Sequence, residues 1–241
     1  MANWFLGRAL AEEAEAENAA WSFLGEGAAF WVTVAVLLVA GVAVYLVTRK
    51  KSSKKSFWTA KTMAVGAMCM ALSSVLSLIK LWSMPMGGSV TPASMLPLLL
   101  FAYCYGVGPG MVLGALYGVM QFLLDGMAWA ALGAIPNLLD YPIAFGLLGL
   151  AGCFRGSKAK MTASFVLGCF GRFMASFLSG FIFYGQYAPE GVNPVWYSLT
   201  YNGSYMLVEC AICIVLGLLV GERLAKELKK VAMAKELKKV A

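Results

Sequence analysis

The sequence contains no histidine, and that absence removes whole classes of chemistry. Hydrolases built on an imidazole base, zinc sites of the HExxH type and mixed Cys/His zinc sites all need a ring that this chain does not have. Charge is scarce as well. Asp, Glu, Lys and Arg make up 13% of the residues, against about 25% in soluble domains. No GxxxxGK[ST] phosphate loop is present, so any ATP that serves this protein is hydrolysed by another chain. No Ser–Lys pair has the spacing of a nucleophile and its base.

Apolar residues are what the chain has in excess: 61% of its 241 residues are hydrophobic, and the mean hydropathy is +0.76. A globule of that length cannot hide so much apolar surface, so the bilayer is part of its solvent. The apolar stretches are long and lack the alternation of barrel strands. The fold class is therefore all-α, a polytopic membrane helical bundle. The net charge of +7 does not imply a nucleic-acid partner, because the basic residues cluster at the edges of apolar segments, where membrane topology puts them.

Six cysteines (Cys69, Cys104, Cys153, Cys169, Cys210 and Cys213) lie in or beside apolar runs. Cys210 and Cys213 form a CxxC, but small buried residues are the plainer reading of thiols in such runs. No metal or cofactor is expected.

Three parts follow from the pattern: an acidic N-terminal segment with an extra spanning helix and a basic linker (residues 1–56), a six-helix membrane domain (57–224), and a basic tail (225–241). The stretch AEEAEAENAA reads as a solvated helix, and Ala28–Thr48 as the extra span. RKKSSKK follows, which puts Arg49–Lys55 in the cytoplasm and the N-terminus outside. Six apolar segments come next: Thr59–Leu81, Ser94–Val107, Gly110–Leu124, Asn137–Phe154, Met161–Phe183 and Gly203–Val220. Alternating them places Lys61, Arg155, Lys158, Lys160 and Arg223 inside, with Asp125, Asp140 and Glu190 outside; Lys80 and Arg172 break the rule. Ser94–Val107 is too short for an ordinary span and reads as a short, partly sheltered helix. The tail repeats AKELKKVA at Ala225–Ala232 and Ala234–Ala241. It reads as a duplication lying on the inner membrane surface, or as a solvated helix. The C-terminus is expected in the cytoplasm of a bacterial cell whose membrane the chain crosses several times.

Polar groups at membrane depth mark function, because lipid makes them expensive. Arg172 lies midway along its helix, and Ser176 and Gly180 follow at i+4 and i+8 on the same face. Asp140 opens the outer end of its helix beside Tyr141, and Asn202 opens the last helix, with Tyr197 five residues earlier. A buried Arg needs a counter-charge, and both Asp140 and a ligand are candidates. Around these groups stand Trp129, Tyr141, Tyr184, Tyr187, Trp196 and Tyr197. They suit an interfacial belt. Beside Asp140 and Glu190 they also suit a flat, cationic heterocycle, held by stacking and cation–π attraction.

Four motifs carry a resemblance: GGSV (Gly87–Val90), LLDYPIAF (Leu138–Phe145), GRFMASFLSGFIFYGQYAPEG (Gly171–Gly191) and YSLTYNGSYM (Tyr197–Met206). In order and spacing the chain resembles the thiamine-specific substrate-binding component of energy-coupling-factor transporters, from about Ala60 to about Val220. The resemblance implies a six-helix membrane protein that is not an enzyme. It implies that thiamine is bound from outside, under the outer loops, and that the chain docks on a transmembrane coupling subunit driven by two ATPases. The binding set it implies is Asp140, Tyr141, Arg172, Ser176, Gly180, Tyr184, Tyr197 and Asn202. Two positions depart from the family: it usually has His where Ser176 stands, and His-Pro where this chain has Gly133-Ala134. A thiamine precursor or another heterocyclic vitamin therefore remains an alternative ligand. The N-terminal helix also lies outside the family pattern.

A docking face is visible on the first core helix. Ala60, Ala64, Ala67 and Ala71 recur at spacings of three and four, a pattern that permits close helix approach in lipid. The resemblance assigns this face to the coupling subunit; packing within the bundle is the other reading. A stand-alone secondary carrier is the alternative function, but it usually needs an internal repeat, and none is visible in the core helices. A membrane-embedded enzyme is a third, left without residues by the absences above.

Overall fold

The computed structural model describes residues 59–84, 87–126, 134–154, 156–189, 191–221 and 223–228. They all belong to one of two units of the chain, Ser56–Ala241. The expected extra span, the basic linker, Trp129, Gly133, Arg155, Glu190 and most of the tail lie outside the described residues.

Thr59 starts the first helix by accepting the Thr62 amide on its hydroxyl at 3.2 Å, which satisfies one of the donors a helix start leaves open. Helix α1 runs Ala60–Leu78. Two short antiparallel strands follow, β1 (Trp82–Ser83) and β2 (Ser89–Val90). Among the described residues this hairpin is the one β element. Helix α2 is Leu96–Tyr105. Helix α3 spans Val107–Gly126 and ends in the π-helical turn Phe122–Gly126. Helix α4 spans Ala134–Gly152 and is interrupted by a second π-helical turn, Leu139–Ile143, around Pro142. Helix α5 is Lys158–Phe183, opened by a Ser157 cap. Helix α6 spans Pro194–Gly221.

Five of these helices (α1, α3, α4, α5 and α6) are long and apolar enough to cross a membrane. The sixth, α2, covers about 15 Å at 1.5 Å per residue, half a bilayer. All ten of its residues are buried, so the bundle shelters it, as a short partly sheltered helix requires. The outward surface is apolar, with Met68, Leu72, Leu123, Leu207 and Leu219 exposed, while Ser73, Ser164, Ser179, Ser198 and Glu209 are buried. This inversion of the soluble pattern is what lipid on the outside selects. The all-α polytopic class holds, with a small hairpin added.

Two sequence-based boundaries need correction. The last helix starts at Pro194, not Gly203, because Asn193 accepts the Val195 amide at 2.8 Å and proline occupies the first turn. Helix α4 starts at Ala134, three residues before the expected Asn137. Asp140 therefore lies a full turn and more inside its helix rather than at the opening.

Helices α3 and α4 are in backbone contact along a glycine seam. A methyl group on Gly114 would collide with the carbonyl of Phe145, and one on Gly118 with the carbonyl of Tyr141. This close approach sets the depth of Tyr141 and Phe145. Gly118→Val is expected to destabilise the bundle by at least the ~1–3 kcal/mol typical of overpacking, read as a lower thermal midpoint of the purified protein. An unchanged midpoint would mean that the seam is loose.

At the opposite end of the bundle, residues 223–228 form a helical turn. The Tyr105 hydroxyl donates to the Leu228 carbonyl at 3.1 Å, and Ala225 is buried. The first residues of the tail thus pack against α2. The cysteines are free thiols; Cys69, Cys104, Cys169 and Cys213 are buried, Cys210 is half-buried and Cys153 is exposed.

Candidate functional site

One end of the bundle carries a cavity of about 120 Å³. It is formed where the hairpin and the neighbouring parts of α3, α4, α5 and α6 converge. Its lining includes Asp140, Tyr141, Arg172, Ser176, Gly180, Tyr184, Tyr197 and Asn202. The structure thus gathers all eight residues singled out from the sequence around one space.

Asp140 reaches it from the π-helical turn of α4. Its Oδ2 accepts a hydrogen bond from the Ser179 hydroxyl at 2.7 Å, and Ser179 is fully buried. One carboxylate oxygen is thereby tied to α5. Arg172 does not pair with Asp140; Lys80 pairs with Asp125, at 2.8 Å. The Arg172 guanidinium instead lies over the Phe145 ring, 4.1 Å from its centroid, and its Nε is buried without a protein partner. A desolvated cation over a ring gains ~2 kcal/mol, which does not replace a counter-charge. The Lys80–Asp125 pair explains why Lys80 breaks the charge rule. It sits half-exposed at the rim, where such a pair contributes ~0–1 kcal/mol.

Helix α6 supplies an aromatic ladder. Tyr197, Tyr201 and Tyr205 recur at i, i+4 and i+8, with successive ring centroids 6.0 Å apart. The Tyr205 hydroxyl donates to Asn202 Oδ1 at 3.0 Å, and Asn202 Nδ2 donates to the Ser198 carbonyl at 3.1 Å. The Ser198 hydroxyl in turn donates to the Phe177 carbonyl at 2.7 Å, which ties α6 to α5. Gly180 lets the two helices meet, since a methyl group there would collide with the Ser198 hydroxyl. The hairpin covers the cavity with Gly87, Gly88 and Ser89. The Gly88 amide donates to the Tyr201 hydroxyl at 3.1 Å.

The remaining aromatics separate. Tyr187 and Trp196 are exposed, at 45% and 63%, and do not line the cavity. They fit the interfacial-belt reading. Trp129 and Glu190 lie outside the described residues. Sequence reasoning missed Gln121, Phe145, Ser198, Tyr201 and Tyr205, all of which line the cavity. Extending the helix back to Pro194 would have found Tyr201 and Tyr205 through their spacing from Tyr197. It also missed Glu209, a buried carboxylate in the apolar run of α6; an acidic residue inside a span was the available signal.

On α1, Ala60, Ala64, Ala67 and Ala71 are all exposed. They face away from the described helices, so packing among the described residues does not account for them.

The sequence model of the thiamine transporter protein family (Thia_YuaJ) matches residues 63–229. The chain is similar to thiamine transporter ThiT of Bacillus subtilis, with 38% identity over 161 residues, covering 60% of this chain and 82% of that protein. It is similar to thiamine transporter ThiT of Lacticaseibacillus paracasei, with 33% identity over 135 residues, covering 50% of this chain and 67% of that protein. Among solved structures it resembles ThiT from Listeria monocytogenes, with a TM-score of 0.60 and 21% identity, covering 70% of this chain and 96% of the other. That last likeness is one of fold.

Proposed function

Because this chain belongs to the thiamine transporter protein family, we propose that it is the substrate-binding membrane subunit of an energy-coupling-factor transporter, taking thiamine from outside the cell into the cavity beneath the hairpin. The relatives are named transporters, and the chain is no enzyme. It is read as a multi-pass protein of a bacterial cell membrane with the cavity end outside and the C-terminus in the cytoplasm. The six-helix domain at 57–224 carries the binding function, flanked by the N-terminal segment and the basic tail.

The observation that carries the proposal is the composition of the cavity wall. A carboxylate with one oxygen tied back, Asp140, faces a space lined by Tyr141, Tyr184, Tyr197 and Tyr201. Thiamine joins two flat rings through a methylene: a thiazolium that carries one positive charge and an amino-pyrimidine. Rings supply stacking and cation–π attraction, ~0.5–2 kcal/mol each, and the carboxylate supplies charge and a directional acceptor. Arg172, Ser176, Gly180 and Asn202 complete the binding set. Formal charges agree: Asp125 is matched by Lys80, and Arg172 stands against both Asp140 and Glu209. One added cation restores the balance.

Calorimetry on the purified chain tests this directly. Thiamine is expected to bind one to one, and pyrimidine or thiazole fragments more weakly. No thiamine binding, with tight binding of another heterocyclic vitamin, would overturn the substrate assignment.

The Ser176 position gives a second measurement. Ser176 is buried on the α5 face that lines the cavity. Ser176→His restores the ring usual in the family and is expected to tighten thiamine binding by ~0.5–1.5 kcal/mol, one aromatic contact. Weaker binding by the variant would show that this pocket is shaped for the smaller hydroxyl.

A further inference from the structure

Glu209 takes no part in the binding set above, yet it is among the most deeply buried polar residues described, 2% exposed in the middle of α6. Its Oε2 accepts the Thr91 amide at 2.7 Å. Its Oε1 accepts from the Thr91 hydroxyl at 2.5 Å and the Ser94 hydroxyl at 3.1 Å. Thr91 directly follows β2, whose Ser89 covers the cavity with Gly87 and Gly88. The same short segment contains Ala93 with φ +67°, a left-handed conformation that a residue with a Cβ adopts at a cost. Glu209 thus fastens the root of the hairpin to α6, while Tyr201 holds its tip.

Glu209 also lines a second cavity, of about 30 Å³. Arg172 lines both cavities. The smaller one is walled by polar groups, including Ser77, Tyr117, Gln121 and Ser94. A buried water needs about 10–15 Å³ and two to four polar partners, and this space provides both. The Arg172 Nε, buried and without a protein partner, is one donor such a water can accept.

We propose that Glu209 is a positioning residue of the binding site: it anchors the hairpin root through Thr91 and Ser94, and through water in the smaller cavity it orients the Arg172 guanidinium. The proposal rests on the larger cavity being the ligand site. Removing a buried charge from one end of a polar chain changes the other end without any contact to ligand.

The purified full-length chain serves for the test. Glu209→Gln keeps the size and an acceptor for the Thr91 amide but removes the charge. It is expected to weaken thiamine binding at least tenfold in calorimetry, with the thermal midpoint of the ligand-free protein unchanged. In an Arg172→Met background the same substitution is expected to cost less than twofold, because its effect passes through the guanidinium. Wild-type affinity, or an equal loss in both backgrounds, would overturn the Arg172 route. The hairpin root has its own readout. Thr91→Val removes one tie, and it is expected to speed thiol labelling of Ser89→Cys at least fivefold, measured with the exposed Cys153 replaced by Ser. Unchanged labelling would overturn the anchor. Labelling needs no ligand, so it decides the anchor even where Glu209→Gln does not fold or thiamine is not the substrate.

Discussion

Asp140→Asn is expected to weaken thiamine binding by about 2–5 kcal/mol, the cost of truncating one partner of a buried, hydrogen-bonded charge pair. The reason is local. Ser179 donates to Asp140 Oδ2 at 2.7 Å, so an asparagine placed there turns its carbonyl oxygen to the serine. Its amide NH₂ then faces the cavity, and an acceptor for the amino-pyrimidine becomes a donor. The charge that attracts the cation is lost in the same step. Arg172 makes the loss worse, because its guanidinium makes no ion pair with Asp140 yet lines the same space. Without the Asp140 carboxylate, the Arg172 guanidinium remains in the wall that receives a cation. Calorimetry on the variant, with circular dichroism to verify the helical bundle, reads the effect. Unchanged affinity in a folded variant would remove Asp140 from the site and favour recognition by the tyrosine ladder alone.

The largest effect on transport is expected from the outward face of α1. Proteoliposomes holding the purified chain alone should bind thiamine without concentrating it, because an equilibrium binder shifts populations and cannot accumulate its ligand. The chain has no phosphate loop, and on the proposed reading energy enters through partners, a coupling subunit and two ATPases. With those present and ATP inside, uptake should begin. Ala64→Leu with Ala67→Leu should then reduce uptake at least tenfold and leave thiamine affinity within twofold. Both positions are exposed on α1 and neither lines the cavity. Bulk there blocks close approach of a second helix in lipid without touching the ligand. Concentrative uptake by the chain alone on a proton or sodium gradient would overturn the coupling reading and establish a secondary carrier.

The two predictions separate because one reads the cavity wall and the other the exposed face of α1. Asp140 is set by backbone contact between α3 and α4 and by a serine from α5. Ala64 and Ala67 face away from those contacts. A variant that damaged the fold would lower both readouts together.

The sequence by itself determined the solvent and the repertoire. An excess of apolar residues over charge demands lipid, and the lack of histidine and of a phosphate loop removes imidazole-based and P-loop chemistry. Hydrophobic length located the spans. Intramembrane polarity located Asp140, Arg172 and Asn202, because lipid penalises each polar group one residue at a time, whatever surrounds it. Tertiary structure decided what those groups touch. Arg172 lies over Phe145 instead of pairing with Asp140, since rotamer and helix depth are set by neighbours far away in the chain. The start of α6 depended on a single cap and a proline in a stretch rich in turn residues, so the tyrosine ladder stayed hidden until Asn193 was seen to close it. Glu209 meets Thr91 across 118 positions, and no local pattern records a contact between residues that distant. Composition and periodicity are local quantities, legible along the chain; the partners of a buried charge are fixed by packing between helices.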